Sequence, residues 1–346
     1  MGLETLLNKI PCRLCGSSSI KNLGKIPDCG EFAGQSITPS INGGYLMHCL
    51  DCNSLFRSPI LSQAEYIDLY QNASDTLWEW YQDKRNDFNI ISGLLSKIAG
   101  GKILDIGCYS GLFLKSLPAR FEKFGIEPSG SASLIAQSNG VNILGKTCTQ
   151  INPDQRFDIV VAIDVIEHVT DVSEFMGNAL RHVNENGLLI ISTGNPDCIF
   201  WKKIFKAKFW YNSISEHLTF PSFKYFACYC KQIGLTNPLQ FRFSYLKCSF
   251  GWKLMLCISQ IIFFISPAIF RFFERIRRKM IGRVDWLNHE FGLSAGGLFT
   301  DHHLIVIKNE KDGDPKKSRS VADWHVRIDR SEIMKKPIKM ENDSLA

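Results

Sequence analysis

The sequence of 346 residues has no N-terminal stretch in which a basic segment precedes an apolar run. This absence, seen in Met1–Lys9, argues against a secretory signal peptide and favours a reducing compartment. The chain also lacks a strong excess of charge of one sign, because it has 40 lysines and arginines and 34 acidic residues, which gives a net charge of +6. A mild excess of this kind fits an ordinary solvated surface. We therefore expect a cytoplasmic protein without a nucleic-acid partner.

No internal repeat is apparent, and the composition changes along the chain. Residues 1–60 are rich in glycine, serine, proline and cysteine, whereas residues 61–100 carry apolar side chains at helical spacing. Residues 311–346 are charged and poor in large apolar clusters, which predicts a disordered tail. We expect a small N-terminal domain, a helical connector, a large domain over residues 101–310 and this tail.

Short apolar runs alternate with amphipathic stretches throughout the large domain. Such an alternation is typical of an α/β fold, in which helices cover both faces of a parallel sheet. The predicted strands are residues 102–106, 123–127, 157–163, 187–193, 239–245 and 298–308. The predicted helices are residues 112–117, 129–139, 172–183 and 222–233.

The first predicted strand ends in Asp105 and leads into a loop that contains Gly107 and Gly111. Glycines let the backbone approach a ligand, and the following helix offers free N–H groups. The chain lacks the Gly-x-Gly-x-x-Gly pattern that cradles a pyrophosphate, because Tyr109 replaces its second glycine. A carboxylate at this strand end suits the cationic, phosphate-free S-adenosylmethionine instead. Glu127 ends the next strand, where a carboxylate can bind both ribose hydroxyls.

These two motifs and three later ones resemble class I S-adenosylmethionine-dependent methyltransferases. The resembling segments are 104–111, 125–129, 157–160, 164–169 and 186–190, in that family's order. The resemblance implies a Rossmann-like seven-stranded sheet with an antiparallel last strand. It also implies contacts of Thr147 and Cys148 with adenine, and of Asp164 and Val165 with the methionine moiety. The predicted cofactor-binding residues are Asp105, Gly107, Cys108, Tyr109, Gly111, Glu127, Pro128, Thr147, Cys148, Asp164 and Val165.

Two Cys-x-x-Cys pairs lie near the N-terminus, Cys12 with Cys15 and Cys49 with Cys52. Two tight thiolate pairs are what a tetrahedral zinc site needs, and four thiolates leave no open position for a substrate. We therefore predict a structural zinc ion. The redox alternative requires a thioredoxin-like setting, which this sequence lacks.

The N-terminal segment is similar to the zinc-binding domain of nucleotide-sugar C-methyltransferases. The matching residues are Cys12–Ser17, Leu23–Pro27, Phe32, Cys49–Cys52, Tyr66 and Tyr70. This resemblance implies a small-molecule acceptor such as an activated sugar or a glycan.

Glu216 and His217 follow the predicted strand of residues 187–193, on the substrate side of such a sheet. A methyl acceptor must lose a proton, and a histidine titrates near neutral pH, so we predict His217 as the base. An adjacent acid can hold or polarise it, which is the role predicted for Glu216. Sugar C-methyltransferases have a similar Glu-His motif, but Ile214 and Ser215 replace the Tyr-His pair that precedes it. Both O- and C-methylation therefore stay open.

Asp164, Glu167 and His168 have a spacing that would place them on one helix face. They can bind a divalent cation, as a similar segment does in some ubiquinone-biosynthesis O-methyltransferases. The interpretation we prefer is that this stretch packs beside the cofactor.

An apolar insertion spans residues 249–293, and its segment 254–270 is followed by a basic stretch. This pattern fits a helix lying on an anionic membrane surface, so residues 254–279 are a candidate for peripheral membrane contact. It also fits a lid over the active site or a dimer contact.

Taken together, these motifs predict a methyltransferase that acts on a sugar, nucleotide sugar or lipid-linked glycan. Two rival functions stay open. One is an RNA methyltransferase with a zinc knuckle. The knuckle region has few Lys and Arg residues, which argues against RNA binding. The other is a non-catalytic module that retains the fold.

Overall fold

A computed structural model describes residues 10–33, 35–71, 85–245, 249–281 and 300–311. The predicted disordered tail lies, from residue 312 onward, outside the described residues. The same holds for residues 72–84 of the predicted connector and residues 282–293 of the apolar insertion.

The N-terminal unit is built from five short strands. They are β1 (Ile20–Lys25), β2 (Cys29–Phe32), β3 (Gln35–Ile41), β4 (Tyr45–Cys49) and β5 (Leu55–Ser58). Strands β2 and β3 form a two-stranded ribbon, and β4 pairs antiparallel with both β1 and β5.

A strand from far along the chain completes this N-terminal sheet. Strand β11 (Thr219–Phe220) pairs antiparallel with β5, so that the sheet order is β1-β4-β5-β11. Thr219 lies opposite Phe56, and Phe220 lies opposite Leu55. The residues just after His217 are thereby part of the N-terminal unit.

Two helices lie between the units in the described part of the connection. Helix α1 (Gln63–Gln71) begins at a capping box, because Glu65 N–H donates to Ser62 Oγ and Ser62 N–H donates back to the Glu65 carboxylate. Helix α2 (Asn86–Leu95) buries Ile90 and Leu94 against the large sheet.

The large unit contains a seven-stranded sheet in the order β12-β13-β10-β9-β6-β7-β8. Its strands are β6 (Gly101–Ile106), β7 (Phe121–Ile126), β8 (Asn142–Gly145), β9 (Phe157–Ile163), β10 (Val183–Gly194), β12 (Leu239–Phe243) and β13 (His302–Lys308). Neighbours from β8 to β10 are parallel, and β13 runs antiparallel to both β10 and β12. The predicted Rossmann-like sheet with an antiparallel last strand is confirmed, although the prediction missed β8.

Helices cover both faces of the large sheet. They are α3 (Leu112–Ser116), α4 (Gly130–Ser138), α5 (Val172–Arg181) and α6 (Phe223–Gln232). Polar side chains cap the starts of α4, α5 and α6, because Ser129, Asp171 and Ser222 each accept a hydrogen bond from an N–H of the first turn. One buried core packs α2 and α3 on one face of the sheet, and a second core joins the other face to the cysteine pairs.

The apolar insertion forms a helical hairpin of α7 (Phe250–Ile265) and α8 (Pro267–Ile281). Pro267 starts α8, where a missing N–H costs nothing. Within the part of the chain that the structure describes, neither helix of the hairpin nor any other is long and apolar enough to cross a membrane.

Candidate active site

The loop after β6 turns sharply at three residues with positive φ. The φ angles are 75° at Gly107, 48° at Tyr109 and 73° at Gly111. A Cβ atom on Gly107 would lie 2.7 Å from a Val165 methyl group, so the loop can approach that segment only with glycine there. Predicted cofactor residues Gly107 and Val165 are thus in direct contact.

Asp105 is buried at the end of β6, and its Oδ1 has no hydrogen-bond partner among the described residues. Burial raises the pKa of this carboxyl well above its ordinary value, nearby Glu127 raises it further, and Arg85 opposes both. An unsatisfied buried carboxyl of this kind is costly unless a ligand completes it. A sulfonium or ammonium cation is the kind of group that would favour its ionised form.

Glu127 is held by the loop itself. Its carboxylate accepts hydrogen bonds from Tyr109 N–H at 2.7 Å and from Ser129 N–H at 2.8 Å. Tyr109, the residue that departs from the dinucleotide pattern, therefore contributes its backbone here. A carboxylate has two oxygens that can each accept more than one hydrogen bond, and a pair of ribose hydroxyls requires such acceptors.

The remaining predicted cofactor residues differ in how they can reach a ligand. Thr147 and Cys148 begin the short helical turn after β8, beside the end of β7, where Glu127 N–H donates to Gly145. Pro128 is exposed next to Glu127. The Cys108 side chain instead packs below the loop, since a Cβ on neighbouring Gly125 would lie 2.5 Å from its Sγ.

Arg85 is a central residue of this pocket that the sequence analysis did not identify. Its guanidinium binds both Asp87 and Asp164, with 2.7 Å to Asp164 Oδ2, and stacks on the rings of Phe88 and Tyr245. The other Asp164 oxygen, Oδ1, is buried and has no hydrogen-bond partner among the described residues. A basic residue before a helix gives no signal in the sequence, because its acidic partner Asp164 lies 79 residues away.

The trio predicted as a possible cation site is not brought together. Asp164 accepts from Arg85 and from the Tyr245 hydroxyl, at 3.1 Å, and does not belong to a group of possible metal ligands among the described residues. A different trio can approach one ion, since ligand atoms of Glu167, His168 and His217 all lie within 4.8 Å of one another.

The Glu167 carboxylate is already engaged by protein donors. It accepts from the hydroxyls of Thr193, at 2.9 Å, and Tyr211. Burial and the Asp164 carboxylate raise the pKa of Glu167 to about 7. Burial lowers the pKa of neighbouring His168 to about 4, which keeps that ring neutral at neutral pH.

His217 lies buried beside these groups. Its Nδ1 donates to the Tyr211 carbonyl at 3.1 Å, and its ring is centred 4.2 Å from the Tyr211 ring and 4.8 Å from His168. A neutral imidazole that donates through Nδ1 carries its lone pair on Nε2. His217 is therefore in the tautomer that can take a proton at Nε2.

Glu216 also has a structural role, which its position beside His217 in the sequence did not indicate. Its carboxylate accepts hydrogen bonds from Ala33 N–H and from the Ser215 hydroxyl at 3.1 Å. Glu216 thus anchors the loop to the N-terminal unit.

Arg57, on β5, holds the same loop and was also missed by the sequence analysis. Its buried guanidinium donates to four backbone carbonyls, three of which belong to residues 212–217. The distances are 2.6 Å to Asn212, 3.0 Å to Ile214 and 3.1 Å to His217. We call residues 212–217, which carry His217, the histidine loop.

The four predicted zinc ligands lie together at the start of the N-terminal unit. Cys12 and Cys52 Sγ atoms are 3.7 Å apart, and Cys15 and Cys49 Sγ atoms are 3.6 Å apart. Tetrahedral zinc–sulfur bonds place sulfur atoms about 3.8 Å apart, so these residues fit a zinc ion. Gly16 and Asn53, which follow the two cysteine pairs, both have a positive φ. Leu14 N–H donates to Cys12 Sγ.

Comparison with known sequences gives a match over the centre of the chain. Residues 77–239 match the family described as "Methyltransferase domain". The ubiquinone biosynthesis O-methyltransferase of Rickettsia conorii (strain ATCC VR-613 / Malish 7) is 37% identical over 116 residues, covering 32% of this chain and 39% of that protein. The enzyme of the same name from Rhodopseudomonas palustris (strain HaA2) is 35% identical over 115 residues, covering 31% and 44%. The chain thus spans about two fifths of these curated relatives.

Comparison with solved structures gives matches of low sequence identity. Phosphoethanolamine N-methyltransferase 2 of Haemonchus contortus, bound to S-adenosylhomocysteine, is 15% identical with a TM-score of 0.48, covering 74% of this chain and 63% of that one. N-methyltransferase NodS of Bradyrhizobium japonicum WM9 is 15% identical with a TM-score of 0.41, covering 70% and 97%.

Proposed function

We propose that the chain, whose residues 77–239 match a methyltransferase domain, uses S-adenosylmethionine to methylate a sugar, nucleotide sugar or lipid-linked glycan, with His217 as the base. The observation that carries the cofactor part is the buried, unsatisfied carboxyl of Asp105 beside the backbone-held carboxylate of Glu127.

The cofactor would be held by charge and by backbone. Asp105 and Asp164 each offer a buried carboxylate oxygen without a partner among the described residues, and a cofactor with sulfonium and ammonium groups supplies two positive charges. Arg85, fixed between Asp87 and Asp164, offers a positive charge toward the carboxylate of a methionine moiety. Glu127 would bind the ribose, and the segment at Thr147 and Cys148 would border the adenine.

S-adenosylmethionine supplies an electrophilic methyl group when bound. His217 would take the proton of the acceptor hydroxyl at Nε2 as the new oxygen–carbon bond forms and the sulfur–carbon bond breaks. The resulting imidazolium is stabilised because Nδ1 already donates to the Tyr211 carbonyl. Holding the acceptor in line beside His217 supplies most of the rate, as proximity does in other two-substrate reactions.

Transfer to oxygen is the reaction that the relatives' names favour, since both are called O-methyltransferases. A sugar or glycan acceptor rests on different support. It comes from the resemblance of residues 12–17, 23–27 and 49–52 to sugar-methylating enzymes, and from the Glu216-His217 pair. In this proposal a zinc ion on Cys12, Cys15, Cys49 and Cys52 stabilises the N-terminal unit that holds the histidine loop.

The test is methyl transfer from radiolabelled S-adenosylmethionine to separate panels of nucleotide sugars, lipid-linked sugars, intermediates of ubiquinone biosynthesis and RNA. We expect label in a sugar-containing acceptor. His217→Gln should lower turnover by roughly 10²- to 10⁴-fold, as loss of a general base does. His182→Gln serves as the matched control, because His182 is a buried histidine directly before β10, at the opposite end of that strand from the site.

Three outcomes would contradict parts of this proposal. Label confined to ubiquinone intermediates or to RNA would refute the sugar acceptor. Unchanged turnover of His217→Gln would refute the base. Failure of the chain to bind S-adenosylmethionine would refute the enzymatic function altogether and favour a non-catalytic module.

A further inference from the structure

The hairpin of α7 and α8 exposes two apolar stripes. The stripe on α7 consists of Leu254, Ile258, Ile261 and Ile265. The stripe on α8 consists of Ile269, Phe272, Phe273 and Ile276. Each is between 39% and 70% exposed, and the spacing within each set is that of a single helix face. We call these eight side chains the hairpin surface. Monomeric proteins rarely expose a contiguous apolar patch of this extent without a partner for it.

The opposite side of the hairpin is fixed to the body of the protein. Phe263 and Phe270 are buried, and their rings meet at 5.8 Å. Gln260, also buried, accepts from Trp210 N–H at 3.0 Å and donates to the Lys208 carbonyl at 3.1 Å. These contacts set which face of each helix points outward, so the exposure of the hairpin surface follows from the packing.

Basic residues accompany the hairpin surface. Residues 198–210 contain four lysines and no acid, and residues 249–281 contain six lysines and arginines against one acid, Glu274. Lys208 marks the border directly, because its Nζ donates to the Phe264 carbonyl and lies 5.5 Å from the centre of the half-exposed Phe264 ring. Lys203 and Arg275 are exposed.

Apolar side chains bordered by cations match the interface of a bilayer that contains anionic lipids. The apolar face enters the boundary between headgroups and acyl chains, and lysines and arginines bind the negative surface. A second copy of the chain fits less well, because an isologous contact through this surface would bring two basic borders together. We propose that the hairpin surface binds the interface of an anionic lipid bilayer, with α7 and α8 lying in its plane.

The test is co-sedimentation of the full chain with vesicles of phosphatidylcholine containing about one third phosphatidylglycerol. We expect binding that falls with added salt and is weak on pure phosphatidylcholine. The double variant Phe272→Ser with Phe273→Ser should lower the partition coefficient about tenfold or more. Its matched control is Leu134→Ser with Ile135→Ser, two exposed apolar residues on α4 that lie outside the hairpin.

A second pair of variants tests the electrostatic part. Lys203→Glu with Arg275→Glu should weaken binding to the anionic vesicles, whereas Lys224→Glu, on the exposed side of α6, should not. Equal binding of wild type and the Phe272/Phe273 variant would overturn the proposal. So would a dimer, detected by light scattering without lipid, that the same variant dissociates while vesicle binding is absent. None of these measurements requires methyl transfer, so they stand apart from the proposed function.

Discussion

The cofactor pocket and the histidine loop lie side by side, but they differ in whether their buried polar groups have hydrogen-bond partners within the protein. In the pocket, Asp105 and Asp164 each keep a buried carboxylate oxygen without a partner among the described residues. In the histidine loop, the carbonyls of Asn212, Ile214 and His217 all accept from Arg57. The pocket is thus incomplete without a cationic ligand, whereas the loop is complete before any ligand arrives.

This difference shows that the two regions are stabilised from different sources. The pocket is made by the large sheet, whose strand ends deliver Asp105 and Glu127 to one edge. The histidine loop is held from outside that sheet, by Arg57 and by Ala33 N–H of the N-terminal unit. Damage to the N-terminal unit should therefore affect turnover, and damage to the pocket should affect cofactor affinity.

The largest expected effect comes from the cysteine cluster. Cys49→Ser removes one of four thiolates from a cluster that is continuous with the core of the large sheet. Structural zinc supplies much of the folding free energy of small metal domains, so we expect loss of near-stoichiometric zinc and a large drop in melting temperature. Metal analysis and thermal unfolding provide the readouts. Cys228→Ser, an exposed cysteine on α6, is the control. Wild-type protein without zinc would contradict the account.

The next effect separates turnover from cofactor binding. Arg57→Lys keeps the positive charge but cannot serve four carbonyls in fixed directions, because lysine lacks the planar fork of arginine. We expect kcat to fall about 10- to 100-fold, since misplacement by about 1 Å has such an effect, while the Kd for S-adenosylmethionine stays nearly unchanged. Steady-state kinetics and calorimetry measure the two quantities. An equal loss in both would show that the loop and the pocket are not held independently.

Another effect concerns pH and links the two regions. Glu167, which contacts Tyr211 beneath His217, has a pKa raised from 4.5 to about 7. Its neutral form favours folding below pH 4.5, and that contribution is lost as pH rises through 7. Wild type should therefore lose about 3 kcal/mol of unfolding free energy between pH 4.5 and pH 7, and Glu167→Gln should not show this loss. Denaturant unfolding at pH 4.5 and above 7 measures the loss, and a constant difference between the two proteins would contradict the ionisation.

The sequence predicted the regular part of the molecule well, because local patterns specify it. Alternating apolar runs located six strands of the large sheet, and two spaced Cys-x-x-Cys pairs indicated the cysteine cluster. Strand β8 was missed because its four residues are only partly buried and show no apolar alternation.

Contacts between distant segments could not be read in the same way. Strand β11 has two residues and exists only because β5, more than 160 residues earlier, offers it a partner. Arg57 acts on backbone carbonyls, which every residue has, so no side-chain pattern reveals its target. Glu216 was predicted to hold His217, and no local pattern indicated that the fold would also bring Ala33 N–H to its carboxylate.

Calorimetric titration with S-adenosylmethionine and with S-adenosylhomocysteine tests the central claim most directly. The homocysteine product lacks the sulfonium charge, so a pocket that keeps Asp105 for a cation should favour S-adenosylmethionine, and should do so more strongly as pH rises. Asp105→Asn should abolish this preference, whereas Asp154→Asn, on an exposed turn, should retain it. The account predicts this pattern, and equal affinity of wild type and Asp105→Asn for S-adenosylmethionine would contradict it.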